Sequence, residues 1–517
     1  MQRRDLIRNL SLGSAYLSLT GFYSIDTVSG KAHEDNGKLY VRRPSCELPI
    51  IHEADIVVIG GSTAGVTAAW AAAGEGAKVF LVSGEPYLGY DICSTYRFWD
   101  IKAGGNAELE SRLFGRGLPT PNDIKNGLED MLLERDIPFV LCSYVSNILA
   151  DVSGAPAGVV IANRSGEQVI RAGIIIDATE RGTCARLMGA SFTEYPAGDQ
   201  IFDFTVLGNE PVSGYDPEKL APGYSYNGKS YNGLRYRLRL PVKDDSYGSF
   251  AEAEQKARDI TWDSYQVDSG DTLFQVPPDH IKGVKSYSQS EADFSVIDLG
   301  CFRAEGVNGL YVLGGCADIS RDAAARLYDP SAMLQIGERV GRAAAAEAAG
   351  MSRGRIDPRQ KSYPSAASVV MQHQYEMRPQ HQLGHVRIDD EHIPVIGRYD
   401  IVVIGGGTSG APAAIGAARR GAKVLLAEYL HGLGGIGTIG LIGRYHYGYQ
   451  EGFTKEVDNG VKEIGGEGVK SMGGEGHPRK LDRDDGRRKV WVRDWKMEWW
   501  RREVRKAGGD IWFGVLG

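Results

Sequence analysis

Residues 55–65 read "DIVVIGGSTAG", and residues 400–410 repeat the stretch as "DIVVIGGGTSG". In both places a continuous apolar run, typical of a parallel strand buried on both faces, enters a glycine-rich turn. An Ala-rich helical segment and a second apolar strand follow. Residues 55–92 and 400–437 align without a gap, and about half of the positions are identical, which indicates an internal duplication. Each copy therefore predicts the strand–turn–helix–strand unit that binds dinucleotides.

The second copy carries the complete pattern G-x-G-x-x-G at Gly405, Gly407 and Gly410. The first glycine permits the tight turn, the second lets the backbone approach a pyrophosphate, and the third allows helix and strand to pack closely. The N-terminus of the following helix offers unpaired N–H groups to the phosphates. Glu428 ends the second strand, where a carboxylate accepts hydrogen bonds from an adenosine ribose and repels the 2′-phosphate of NADP. We predict that these residues bind a dinucleotide cofactor.

The first copy departs from the pattern at two positions. It keeps Gly60, Gly61 and Gly65, but Ser62 replaces the middle glycine and Ser83 replaces the acid. The serine side chain crowds the approach of a phosphate, although its hydroxyl can also donate to a phosphate oxygen. Two interpretations therefore stay open for this copy: a relaxed site that still binds the cofactor, or a domain that has kept the fold and lost the ligand.

Composition limits the class of protein. The formal net charge is −7, so no excess of Lys and Arg is available to neutralise nucleic-acid phosphates, and no nucleic-acid partner is expected. No apolar run reaches the ~20 residues that cross a bilayer, so we expect no stable membrane insertion. The six cysteines lie singly, without a CxxC pair, so no zinc or iron–sulfur ligand set is visible and no metal is predicted.

The N-terminus reads "MQRRDLIRNLSLGSAYLSLTGFYS", with Arg3 and Arg4 before a modestly apolar stretch. This pattern is typical of a twin-arginine export signal, and a basic N-terminus without that role is the alternative. The sequence thus predicts a periplasmic or otherwise exported protein, and a cytoplasmic one if the signal is absent.

Later segments of the first half complete the pattern. An apolar strand runs into Ala178, Thr179 and Glu180, and a late strand enters a glycine turn with Gly315 and Asp318. With the loops "PYLGYDICSTYRFW" and "EYLHGLGGIGTIGLI", these segments resemble the bacterial FAD-dependent oxidoreductase family, which has a glutathione-reductase-like flavoprotein fold. The resemblance covers most of the chain except 190–300.

The resemblance implies FAD as the cofactor. In the family a strand ends in A-T-G, with Glu180 here in place of the glycine, and the late turn reaches the ribityl chain and the pyrophosphate through residues matched by Gly315 and Asp318. The family shares its flavin domain with heterodisulfide-reductase-like proteins, but this sequence has no cysteine cluster for an iron–sulfur centre.

The predicted fold class is α/β, with two tandem Rossmann-like FAD/NAD(P)-binding domains. The first is complete and contains an inserted β-rich region. The second stops before its A-T-G strand and closing glycine turn. This favours a fragment of a longer protein over a half-domain that docks on the first. The predicted boundaries are 1–35 (export signal and N-terminal segment), 52–188 (first domain, N-terminal part), 189–300 (substrate or cap region), 301–350 (first domain, C-terminal part), 351–397 (linker) and 398–517 (second domain).

Candidate chemical groups are few. Cys93 follows the second strand of the first copy, where related flavoproteins place redox cysteines near the flavin, and a small buried apolar role is the alternative. His446 is a candidate proton donor or acceptor, with a structural role as the alternative. Gly434 and Gly435 should lie against the pyrophosphate or flavin through backbone N–H groups.

The sequence predicts an FAD-dependent oxidoreductase that acts on an unidentified small molecule. Two alternatives remain: a reductase that uses FAD in one domain and NAD in the other, and a binding or scaffold protein without catalysis. The residues leave open which copy holds the flavin, and also the oligomeric state.

Overall fold

The computed structural model describes most of the chain. The described residues are 33–35, 38–43, 45–101, 107–115, 117–151, 154–208, 210–226, 229–264, 266–351, 383–389, 391–443, 451–465 and 491–517. The predicted export signal lies outside them. Among the helices in these ranges, none is long and apolar enough to cross a membrane.

A parallel five-stranded sheet forms the centre of the first half. Its strands lie in the spatial order β15-β10-β4-β5-β6, and all neighbours run parallel. The strands are β4 (Ile56–Ile59), β5 (Val79–Val82), β6 (Phe139–Val140), β10 (Ile174–Asp177) and β15 (Leu310–Val312). Strands β4, β5, β10 and β15 are buried throughout, which explains why each reads as an apolar run, with Asp177 at the end of β10 as the exception.

Two helices pack side by side on this sheet. Helix α1 (Thr63–Gly74) follows the first glycine turn, and α8 (Pro330–Gly350) begins at a proline after the capping residue Asp329. Gly337 and Gly341 of α8 face α1 so closely that a Cβ on Gly341 would lie 2.3 Å from the carbonyl oxygen of Ala68. The lack of side chains at these positions lets the two helix backbones approach.

Further helices of the first half surround this layer. Helix α4 starts with a capping box between Thr120 and Asp123, which satisfies two backbone N–H groups at its N-terminus. The remaining helices of this half are α2 (Tyr90–Cys93), α3 (Ala107–Phe114), α4 (Pro121–Glu134), α5 (Thr183–Leu187), α6 (Tyr247–Thr261) and α7 (Arg321–Leu327).

Three further sheets flank the central one. One is a five-stranded sheet in the order β16-β3-β9-β8-β7, and the predicted β-rich inserted region forms a four-stranded sheet in the order β12-β13-β11-β14. A small sheet has the order β1-β2-β17. The strands are β1 (His33–Asp35), β2 (Lys38–Arg43), β3 (Cys46–Glu53), β7 (Tyr144–Ala150), β8 (Pro156–Asn163), β9 (Gly166–Arg171), β11 (Gly198–Gly208), β12 (Glu218–Tyr226), β13 (Lys229–Val242), β14 (Asp268–Ser269), β16 (His385–Ile388) and β17 (Glu391–Pro394).

The second half repeats the start of the first. Strands β18 (Ile401–Ile404), β19 (Val424–Glu428) and β20 (Asp510–Phe513) form a parallel sheet in that order. Helix α9 (Gly410–Ala418) follows the second glycine turn. Helices α10 (Phe453–Ile464) and α11 (Arg493–Lys506) pack beside it around buried tryptophans.

Strand β18 lies at the edge of its described sheet, unlike β4, which it repeats. Val402 and Ile404 are 51% and 58% exposed, whereas the matching Val57 and Ile59 are 0% and 4% exposed. In the first half, β10 and β15 cover this side, and the described residues of the second half contain no counterpart of either strand.

Candidate functional site

The first glycine turn is tightly closed. A Cβ on Gly60 would lie 2.4 Å from the carbonyl oxygen of Ala178, and one on Gly65 would lie 2.2 Å from the carbonyl oxygen of Gly60. A Cβ on Gly61 would lie 2.8 Å from the hydroxyl oxygen of Ser83. The three predicted glycines of this copy are therefore required by the turn itself, whether or not a cofactor binds there.

Side chains of the protein occupy the N-terminus of α1. The hydroxyl of Ser62 accepts a hydrogen bond from the backbone N–H of Gly65 at 3.1 Å. The carboxyl of Asp91 accepts one from the N–H of Thr63 at 2.9 Å. Burial raises the pKa of Asp91. The phenol of Tyr90 donates a hydrogen bond at 3.0 Å to the carbonyl oxygen of Ala178, which follows β10. Two of the N–H groups that a diphosphate would use at the helix N-terminus therefore already have side-chain acceptors, although the turn itself borders the cavity described below.

The second glycine turn is open. Gly405 has a positive φ of 90°, and a Cβ on Gly410 would lie 1.7 Å from its carbonyl oxygen, so the turn is as tight as the first. A Cβ on Gly407 would meet no atom of the described residues within 4 Å. Within the described chain, no side chain caps the N-terminus of α9. The position that matches Asp91 is Ile436, whose side chain carries no charge and is 65% exposed.

Glu428 and the loop after it stand next to this turn. The Glu428 carboxylate accepts hydrogen bonds from the N–H of Gly406 at 2.7 Å and from the N–H of Leu430 at 3.0 Å. Gly434 donates its N–H to the carbonyl oxygen of Gly406 at 2.9 Å. A Cβ on Gly435 would lie 3.0 Å from the Cα of the middle glycine of the turn. The structure thus brings the predicted residues of the second copy together.

Two predicted residues of the late turn do not line the cavity described below. The Asp318 carboxylate accepts hydrogen bonds from the N–H of Gly283 and the hydroxyl of Ser286, both at 2.8 Å. The N–H of Gly315 donates to the hydroxyl oxygen of Tyr328 at 3.3 Å, and the preceding residues Leu313 and Gly314 line the cavity instead. A contact of either residue with a cofactor stays a prediction.

Of the two predicted catalytic residues, the structure describes only Cys93. Cys93 lies in the main hydrophobic core and does not line the cavity. Burial raises the pKa of its thiol to about 12, which disfavours the reactive thiolate and agrees with the small apolar role. His446 lies outside the described residues. All six cysteines are free, and the described residues contain no group of three or more His, Cys, Asp or Glu placed to hold a metal ion.

A cavity of about 720 Å³ opens at the carboxyl ends of β4, β10 and β15. This is the edge of a parallel sheet where ligands bind in α/β proteins. Gly60, Ser62 and Thr179 line it from the first half. Tyr429 and Phe513 line it from the second half, so both halves of the chain build one cavity.

Sequence reasoning missed a chain of three polar side chains in this cavity. The hydroxyl of Tyr87 donates to the carboxylate of Asp271, whose other oxygen lies 3.4 Å from Nε2 of His431. The three residues come from three distant parts of the sequence. The spacing along the chain carries no signal for such a contact, and only the docking of the two halves creates it.

Two acidic residues of the cavity wall were also missed as site residues. Burial, together with the charges of Glu180, Asp271 and Glu254, raises the pKa of Glu85 to about 7. Burial and the charge of Asp91 raise the pKa of Glu180 to about 7, although Arg181 acts in the opposite direction. The available signal was that Glu180 replaces a glycine of the A-T-G motif, because a side chain at that position must enter the ligand space.

The parallel sheet, its glycine turns and the cavity at its carboxyl edge define an α/β protein of the nucleotide-cofactor class. A family model described as FAD dependent oxidoreductase matches the chain over residues 55–203 and again over 400–505. Over these two ranges the chain is similar to the FAD-dependent oxidoreductase family, which fits the fold and the glycine turns. The comparison with curated proteins found no match.

Several solved structures are similar at low identity. AlpK is 13% identical with a TM-score of 0.36, over 57% of this chain and 63% of AlpK. BexE, from work on oxidation during BE-7585A biosynthesis, is 15% identical with a TM-score of 0.37, over 59% of this chain and 64% of BexE. The flavin-dependent brominase Bmp2 is 13% identical with a TM-score of 0.36, over 59% of this chain and 81% of Bmp2. The chain thus spans less than two thirds of AlpK and of BexE.

Proposed function

We propose that the protein is an FAD-dependent oxidoreductase that acts on a small molecule and holds the adenosine diphosphate part of FAD at its second glycine turn. The observation that carries this proposal is the contrast between the two turns. In the second turn Gly407 faces open space and no side chain caps α9 among the described residues. In the first turn the hydroxyl of Ser62 and the carboxyl of Asp91 already accept the helix N–H groups.

The residues of the first turn do not fit a diphosphate. A phosphate there would have to displace Asp91 from the N–H of Thr63, and it would meet the carboxyl of Glu180 in the same cavity. Bringing an anion next to the buried carboxyl of Asp91 costs free energy. This supports the interpretation that the first copy has kept the fold and lost the dinucleotide.

The residues of the second turn fit the adenosine diphosphate. Gly405 and Gly407 let the backbone approach, the N-terminus of α9 stabilises negative charge, and Gly435 lies beside the turn. Glu428 is held in place by two backbone N–H groups, so its carboxylate can accept ribose hydroxyls without rearranging. When bound, FAD supplies the ring that accepts electrons, and the protein supplies position and electrostatics.

The proposal includes the finer architecture. The chain is a tandem of two Rossmann-like units, of which the second lacks counterparts of β10 and β15 among its described residues. The exposed Val402 and Ile404 of β18 support an incomplete second unit. NAD in one domain beside FAD in the other, a scaffold role and export to the periplasm stay predictions from the sequence.

The test is to purify the full chain, denature it, and identify and quantify the released nucleotide. We expect one FAD per protein chain, because only the second turn is proposed to bind it. The variant Gly407→Asp places a carboxylate in open space beside the phosphates, so it should fold normally. Like charges about 4 Å apart repel by about 4 kcal/mol at an effective dielectric constant of 20, so FAD should be lost at least a hundredfold more readily.

The matched control is Ser62→Gly, which restores the middle glycine in the first turn and should leave the FAD content unchanged. A colourless, nucleotide-free wild type would refute the proposal. So would a Gly407→Asp protein that folds and keeps its full FAD content. Anaerobic bleaching of the flavin by NADH would favour the FAD/NAD reductase alternative.

A further inference from the structure

The helix behind the second glycine turn carries a deeply buried lysine. Lys496 of α11 is 6% exposed, and its ammonium group lies 3.4 Å from the centre of the Trp491 ring. Burial lowers the pKa of Lys496 to about 8, although the charge of Asp458 on α10 acts in the opposite direction. The side chain is therefore mainly cationic at neutral pH. Burying such a charge costs free energy, which an anionic ligand nearby would offset.

A buried hydrogen-bond donor lies on the same face of α11, one helical turn further along. Trp500 is 4% exposed, and its indole N–H finds no acceptor in the part of the chain that the structure describes. A buried N–H group without an acceptor is unfavourable, so it indicates a partner that binds from outside the chain. Lys496 and Trp500 stand at positions i and i+4, so they present a charge and a donor to the same neighbour.

That neighbour is the loop of residues 434–438, which we call the glycine loop. A Cβ on Gly434 would lie 3.0 Å from Cδ1 of Trp500, the ring atom bonded to the indole nitrogen. A Cβ on Gly437 would lie 3.8 Å from Nζ of Lys496. The lack of side chains at these two positions lets the backbone of the loop approach the ammonium group and the indole.

The glycine loop contacts the second turn as well. A Cβ on Gly435 would lie 3.0 Å from the Cα of Gly407, so the loop lies between the turn and α11. Within the described residues, no side chain caps the N-terminus of α9, which opens at this turn and carries a partial positive charge. The charge of Lys496 and the dipole of α9 therefore favour an anion at the same place.

The first copy carries apolar side chains at the matching helix positions. Strand β6 pairs with β5 in the same register as β20 pairs with β19, which matches α4 with α11. Ile124 of α4 stands at the position of Lys496. Leu128 stands at the position of Trp500, and both apolar side chains are 0% exposed. A Cβ on Gly89 would lie 2.8 Å from each of them, so the packing of loop on helix is the same in both copies.

The two copies therefore differ in charge around a common architecture. In the first copy, Asp91 places an acidic group at the turn, and Ile124 behind it carries no charge. In the second copy, Ile436 replaces the acidic group, and Lys496 adds an ammonium group. Both differences make the second turn more favourable for an anion. The buried cation belongs to the copy whose turn is open.

We propose that Lys496 and Trp500 stabilise the diphosphate of an adenine nucleotide at the second turn, across the glycine loop. The inference rests on the proposed function and adds two residues of α11 to the site. Lys496 is a positioning residue, because the backbone of the glycine loop lies between its ammonium group and the turn. A buried cation acts over such a distance because little water screens it.

The test uses the full chain, freed of bound nucleotide by dialysis, and titrates it by calorimetry with ADP and with the uncharged adenosine. Lys496→Met removes the charge and keeps an apolar stem, so it should weaken ADP binding about tenfold or more and leave adenosine binding unchanged. Lys496→Arg should retain most of the ADP affinity. Trp500→Phe removes the N–H and should weaken ADP binding several-fold. The matched control is Lys506→Met, which removes an ammonium group that is 76% exposed on the same helix and should change neither affinity.

Three results overturn the inference. Lys496→Met may bind ADP as tightly as wild type does, or it may lose affinity for ADP and adenosine equally, as a purely structural role requires. Lys496→Arg may bind ADP no better than Lys496→Met does. A wild type that does not bind ADP refutes the proposed function together with the inference. A wild type that is purified without FAD but binds ADP through Lys496 refutes only FAD as the cofactor, and it supports the inference.

Discussion

Replacing Gly341 by alanine tests the close contact between α1 and α8. The new Cβ would lie 2.3 Å from the carbonyl oxygen of Ala68 and 2.9 Å from its Cα. Since both obstacles are backbone atoms, the helices must separate by about 1 Å, which loses a quarter to a half of the dispersion energy along the contact. Overpacking of this kind costs about 1–3 kcal/mol, and more where backbone must move.

An opposing term reduces this loss. Alanine is a better helix former than glycine by about 1 kcal/mol in a helix interior. With overpacking near the upper end of its range, the free energy of unfolding should fall by about 2 kcal/mol. Met333 of α8 lines the cavity, so the same shift should also change the shape of the ligand site.

The assay is urea unfolding followed by circular dichroism, with Gly350→Ala as the matched control. Gly350 belongs to the same helix, and a Cβ there would meet nothing within 4 Å in the part of the chain that the structure describes. The control should be neutral or slightly stabilising, by up to about 1 kcal/mol. If Gly341→Ala unfolds at the same urea concentration as Gly350→Ala, the close approach of the two helices is wrong.

Three further predictions concern buried charges and the buried thiol. Arg501 is 3% exposed and pairs with Glu498 at 2.8 Å, so Arg501→Ala should lower the free energy of unfolding by about 3–5 kcal/mol. Arg502 is partly exposed, so Arg502→Ala should cause a much smaller loss. Urea unfolding of the two variants measures the difference. Cys93 should react with iodoacetamide only after unfolding, and labelling of the native protein at this residue, read by mass spectrometry, would contradict its burial. The pKa of Glu85 is raised on folding from 4.5 to about 7, so stability falls as the pH rises through this window. Glu85→Gln should therefore be more stable than wild type by about 1–2 kcal/mol at about pH 8 and equal to it at about pH 5, and a gain that does not depend on pH would contradict the assignment.

The central sheet of the first half could be predicted from the sequence because its strands are buried on both faces. The run before Gly60 is an unbroken apolar segment, and the run before Ala178 is apolar except for Asp177; both form strands of the parallel sheet. The long helix from Pro330 to Gly350 carries clear local signals at its start. Proline at its start and the capping aspartate before it are local signals that need no tertiary contact.

Whether the first glycine turn is free to bind a phosphate could be predicted only in part. Ser62 drew attention as a replacement of glycine, but the stronger obstacle is Asp91, which lies 28 residues away from Thr63 along the chain. Its contact depends on how the loop after β5 folds back on the turn, and no periodicity records that path. The contact of Asp271 with His431 was out of reach for the same reason, since it joins the inserted region to the second half.

The shared wall of the cavity has a consequence for the newly made protein. A ribosome delivers the first half well before Tyr429 and Phe513, which line the cavity from the other side. The acidic wall with Glu85 and Glu180 is then complete while one flank still faces water, so a nascent chain cannot retain a ligand there. Capture of a ligand must wait for the late residues to dock, which makes it a step of maturation after synthesis has passed β20.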